Sequence, residues 1–212
     1  MTTTAKPLIG RSGMNAVTWL LLALAAVCVV LAVAVPLQQL TERGADVPVT
    51  LSGPAADRAG EALRLPGLPA GTAVTSTAEE FRLSVKELPA GLRLLSQAST
   101  SLVFLSVGAG AWFLAMVLRS IRAGHPFDRR NPGRLSGVAC ALVLGGVVAP
   151  IVGNAGANAV LDHLDLLDPG GPFALVIVNL EFSGLFFAAV VLAFAEAFRR
   201  GSTLADDVEG LV

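Results

Sequence analysis

Long apolar runs divided by short charged segments set the pattern of this chain. A bilayer core of about 30 Å is crossed by roughly 20 apolar helical residues. Four runs meet that length, at 14–37, 97–118, 135–161 and 173–198. Between the first two, 42–93 changes period. Asp46–Leu51 and Phe81–Leu88 alternate as strands do, with Phe81, Leu83 and Val85 on one face, and Ala73–Thr77 offers a third short strand. A segment of this size buries too little to stand alone, so a small ribbon leaning on the helix ends is expected. The pattern therefore predicts an all-α membrane protein, a bundle of four transmembrane helices with a small extracytoplasmic β-containing loop between helices 1 and 2.

Direction follows from charge. Basic residues concentrate in the short loops left in the cytoplasm. The tail 1–13 carries Lys6 and Arg11 without an acid, and the loop 119–134 carries Arg119, Arg122, Arg129, Arg130 and Arg134 against Asp128. The loop 162–172 carries Asp162, Asp165 and Asp168 without a Lys or Arg, and the tail 199–212 opens with Arg199 and Arg200. Abundant Ala, Gly and Val, with Lys6 and Lys86 as the lysines, suggest a GC-rich bacterial source, and each segment predicts the same topology in its inner membrane, with both termini and the middle loop cytoplasmic. The first run is longer than a signal-peptide core and is read as an anchor that stays in place. Trp19 and Trp112 then fall near the inner interface.

Composition agrees. Hydrophobic residues make up 54% and charged residues 15%, too apolar for a soluble domain of this length. A net charge of −1 gives no basis for direct contact with nucleic acid, and the lipid bilayer is the first partner. Cys28 and Cys140 lie inside apolar runs and read as small core residues. His125 and His163 fall on opposite sides of the predicted membrane. No nucleophile stands beside a base, no glycine loop suits a phosphate, and no spacing suits a metal. An enzyme is not expected, nor is a cofactor.

Two stretches echo each other. Ile121–Arg130 (IRAGHPFDRR) and Phe198–Asp207 (FRRGSTLADD) both read apolar residue, Arg, any residue, Gly, two residues, apolar residue. Both directly follow a long apolar run. Gly124 and Gly201 are expected just past helix ends, where the backbone turns left-handed and Gly carries no Cβ penalty. Arg122, Arg199 and Arg200 suit the last helical turn. Phe127 and Leu204 are expected to turn back to the membrane or the bundle. Asn131-Pro132 reads as an N-cap with Pro opening the third helix, and Asp206-Asp207-Val208-Glu209 as a capping box. Two hairpins derived from one duplicated hairpin would account for the echo.

These motifs resemble a bacterial family, domain of unknown function 2975, whose members are four-helix membrane proteins. The resemblance lies in Arg122-Ala123-Gly124-His125-Pro126-Phe127 with Asn131 and Arg134-Leu135, and in Phe198-Arg199-Arg200-Gly201 with Leu204, Asp207, Glu209, Leu211 and Val212. Leu211 departs from the Thr that many members carry there. The resemblance implies a cytoplasmic helix-turn-helix regulator as partner and implies no biochemical activity.

Inside the membrane, small residues let helix backbones approach. Gly145, Ala149, Gly153 and Ala157 form a ladder at four-residue steps, which suits packing within one subunit or the seam of a homodimer. Pro150 is expected to kink this helix. Glu181 is singled out as an ionisable residue deep in a span, which needs a partner or water. Asn154 lies at similar depth and shares a helix face with Asn158, so the three are expected to form an intramembrane polar cluster.

The function expected is therefore regulatory, sensory or accessory, exerted through a cytoplasmic protein partner. The face that partner or lipid headgroups would meet comprises Arg122, Gly124, Phe127, Arg129, Arg130, Arg134, Gly201, Leu204, Asp207 and Glu209. The acidic tail is also expected to clasp Arg129, Arg130 and Arg134. The alternative is a small oligomeric transporter or channel using Glu181.

Overall fold

The computed structural model describes residues 11–41, 44–51, 73–77, 80–167, 173–174 and 182–209. Among the described residues, three helices are long and apolar enough to cross a membrane, spanning Ser12–Gln38, Ala90–Arg122 and Asn131–His163. In order, the elements are α1 (Arg11–Thr41), β1 (Gly44–Leu51), β2 (Ala73–Thr77), β3 (Glu80–Lys86) and α2 (Ala90–Arg122). They continue with α3 (Asn131–Val143), a π turn at Leu144–Val148, α4 (Ala149–His163), β4 (Phe173–Ala174) and α5 (Ser183–Glu209).

The π turn has a local cause. Pro150 has no N–H to give the carbonyl of Gly146, and its ring crowds that oxygen. The helix relieves the conflict by widening just before the proline, so Leu144–Val148 runs as π-helix and α4 resumes at Ala149.

The chain divides into two compact units. The unit formed by Leu31–Val103 and Val147–Glu181 contains the sheet, whose strand order is β2-β3-β1-β4. All of its pairings are antiparallel, with Val47 opposite Leu83 and Val74 opposite Leu83 on the other side. Alternation puts Val47, Val49, Leu83 and Val85 on one face. That face packs on Ala157, Val160 and Leu161 in the last turns of α4, giving one buried cluster. The ribbon is thus completed by a helix, as its small apolar area requires. Phe173 and Ala174 correct the expected start of the fourth helix. They pair with Leu51 and Thr50 as β4.

In this unit α4 also meets the first turns of α2. A Cβ on Gly153 would lie 3.0 Å from Ser99, and one on Gly156 would lie 2.9 Å from the Leu95 carbonyl oxygen. α4 closes with Asp165 in the left-handed region (φ 52°), while Leu166 N–H bonds to Leu161 O and Asp165 N–H to Asp162 O. This is a Schellman closure with Asp in the place glycine usually takes.

The other unit comprises Met1–Val30, Phe104–Gly146 and Phe182–Val212. Here α3, with the start of the π turn that continues it, and α5 form an intimate pair. The backbones of Gly146 and Gly184 approach so closely that a Cβ on either would lie 3.2 Å from the other's Cα. Val117, Leu135 and Ala195 make the buried cluster between α2, α3 and α5, joined by Ile121, Val191 and Phe198. Gly108 of α2 rests on Cys28 and the Ala25 carbonyl of α1. The small-residue ladder serves contacts within the chain: Gly145 meets Ser106, and Ala149 and Ala157 are buried.

Candidate functional site: the paired arginine–glycine motifs

The end of α2 is set by Gly124. Its φ of +86° places it in the left-handed region. His125 N–H bonds to Ser120 O, and Gly124 N–H to Ile121 O, which together close the helix in a Schellman motif. The turn then sends Pro126 and Phe127 back over the helix end.

A buried asparagine holds that turn. Asn131, fully inaccessible to solvent, donates through Nδ2 to Ser120 Oγ (3.1 Å) and to the Pro126 carbonyl (2.9 Å). Ser120 Oγ in turn donates to the His125 carbonyl at 2.8 Å. Arg134 Nη1 donates to Asn131 Oδ1 (2.9 Å) and to the Met116 carbonyl (3.2 Å). These bonds stitch the end of α2, the turn and the start of α3 into one network. Asn131 is therefore not the N-cap that the sequence suggests. It is the first residue of α3, Arg130 occupies the cap position without a side-chain bond, and Pro132 still falls within the first turn. Asp128 takes the local acceptor role, receiving Arg130 N–H on Oδ1 at 2.9 Å.

Gly201 behaves unlike its echo. α5 runs unbroken from Ser183 to Glu209, so Gly201 is not a helix end and Asp206–Glu209 does not open a new helix. The value of glycine here is space. A Cβ would stand 2.6 Å from the nearest ring carbon of Phe127. The Phe127 ring lies over Gly201 and beside Phe198, with ring centroids 5.8 Å apart. The two echoed motifs thus touch, the aromatic residue of the first seated on the glycine of the second. Because Gly124 is left-handed and Gly201 helical, the copies differ in backbone, and the echo is not a repeated structural unit.

Around this contact, Arg122, Arg129, Arg130 and Leu204 are exposed, and Arg134 is half-buried. The backbone of Asp207 and Glu209 belongs to α5, while their side chains lie outside the described set. The expected clasp with the tail is altered at Arg134, whose guanidinium bonds to Asn131 and the Met116 carbonyl. Arg199 and Arg200 both bond to Glu196, at 2.7 and 2.8 Å. Sequence reasoning passed over Glu196, although its spacing of three and four to the arginines was a legible signal. It also passed over Ser120 and the Gly146–Gly184 contact, for which local sequence carries no signal.

In the expected intramembrane cluster, Asn154 and Asn158 are half-buried on α4, and Glu181 lies outside the described residues. Among the described residues no group of His, Cys, Asp or Glu is arranged to hold a metal ion. No protein-family model, curated protein or solved structure matches this chain.

Proposed function

We propose that this chain is a multi-pass bacterial inner-membrane protein that regulates, senses or assists through a cytoplasmic protein partner, with the paired arginine–glycine motifs as the docking face. The seating of Phe127 on Gly201 carries the reading, because it joins two distant segments into one surface. Exposed Arg129 and Arg130 flank that surface. The network on Asn131 holds it rigid, and a preformed surface loses less entropy on binding.

The topology is part of the proposal. Four spans leave both termini and the arginine-rich loop cytoplasmic, and the fourth follows β4 and ends at Phe198. Support comes from the basic residues in 119–134 and after Phe198, against the acids of 162–172. The resemblance to domain of unknown function 2975 suggests a helix-turn-helix regulator as the partner.

Co-purification from native membranes in mild detergent tests the reading. The full chain is compared with a form lacking residues 204–212 and with Arg129→Ala/Arg130→Ala. Loss of one specific partner from both variants is the expected result. Equal recovery of the same proteins from all three forms would refute a docking role for this face. A reporter fused after Val212 should be active only in the cytoplasm.

A further inference from the structure

An apolar groove of about 680 Å3 runs between α1 and α2, within the size range of small-molecule sites. Leu22, Ala25 and Val29 line it from α1, and Leu105, Ala109 and Trp112 from α2. Its floor is low because Gly108 meets α1 between Ala25 and Cys28 without a side chain. Arg119 stands seven residues beyond the groove-lining Trp112, two turns along the same face of the helix.

Its guanidinium suits an anionic headgroup. Arg119 is exposed and makes no ion pair among the described residues. Leu105 to Arg119 spans fourteen residues, about 20 Å of helix. That matches half of a bilayer about 40–45 Å thick with its headgroups.

We propose that this groove seats an acyl chain of one anionic phospholipid, with the phosphate at Arg119. Trp112, half exposed on the groove wall, packs along the chain. The site is independent of any cytoplasmic partner and rests only on these helices lying in lipid.

The test uses Trp19→Phe protein, in which Trp112 is the sole indole, since the chain has two. The full-length variant is placed in phosphatidylcholine vesicles containing chain-brominated phosphatidylglycerol or chain-brominated phosphatidylcholine. Trp112 fluorescence should be quenched at about fivefold lower mole fraction of the brominated phosphatidylglycerol, the preference one arginine confers toward an anionic lipid. Adding Arg119→Gln should abolish the preference, and adding Arg119→Lys, which keeps the charge, should retain it. Equal quenching by both lipids, or a preference that survives Arg119→Gln, would overturn the proposal. Weak quenching by both, with cross-linking of α1 to a second copy, would place a protein helix in the groove and overturn it too. Protein that fails to float with the vesicles would end the membrane reading and this inference together, an outcome distinct from equal quenching.

Discussion

Replacing Gly201 by Ala sets two opposed effects against each other. Within a helix, Ala is favoured over Gly by about 0.8–1.0 kcal/mol. The new methyl, however, would stand 2.6 and 2.7 Å from two Phe127 ring carbons, so the ring must leave. Leaving forfeits the contact with Phe198, an aromatic pairing of about 0.5–1.5 kcal/mol. The ring is 48% exposed, so displacement also returns roughly half its burial to water, about 1 kcal/mol. The expected net effect is destabilisation by about 1 kcal/mol from these terms. In a Phe127→Ala background the clash is gone and only the propensity gain remains, so Gly201→Ala should stabilise by about 1 kcal/mol. The sign reverses between backgrounds, and the coupling is about 2 kcal/mol. Equilibrium unfolding of the four proteins in mild detergent, followed by circular dichroism, measures it. A Gly201→Ala effect that is the same in both backgrounds, within about 0.5 kcal/mol, would refute the proposed seating.

Three further outcomes follow from the geometry. Asn131→Ala should cost about 2–4 kcal/mol, because it removes two donated bonds and strips Arg134 of its Oδ1 acceptor in a buried site; Ser120→Ala should cost less, and unfolding midpoints for the pair would show the order. Gly124→Ala should lose about 1–2 kcal/mol from the left-handed backbone alone, whereas Gly133→Ala, with open space around the new methyl, should be neutral or mildly stabilising. Gly156→Ala should destabilise by about 1–3 kcal/mol despite its better helix propensity, because the Leu95 carbonyl is backbone and cannot step aside; a raised melting temperature would contradict the contact.

Several features were legible before any fold was known. Apolar runs long enough to span lipid depend only on composition and length, and three of them form helices that meet both criteria. The strand alternation of Asp46–Leu51 and Phe81–Leu88 depends on a two-residue period, and β1 and β3 lie there. Gly124 was legible because a helix end next to a turn requires a left-handed residue. A proline inside a helix must disturb the bond four residues back, so Pro150 announced a distortion, though not that it would be a π turn at Leu144–Val148.

What local sequence cannot carry is the identity of neighbours. Gly201 sits in the same local pattern as Gly124, yet it is helical, and its missing side chain makes room for a distant aromatic ring. Asn131-Pro132 has the signature of a cap, yet the Asn side chain turns to Ser120 and the Pro126 carbonyl. A cap bond is worth about 1 kcal/mol, and two bonds in a site sealed from water outweigh it. Phe173 and Ala174 are apolar enough for a helix and pair instead with β1, whose edge was open to receive them. By itself the sequence determined which segments are apolar enough for lipid, where the backbone must turn, and where charge collects. Tertiary structure alone decided which glycine meets which ring and which polar atom meets which partner, because those choices depend on packing across tens of residues, and local propensities are too weak to override it.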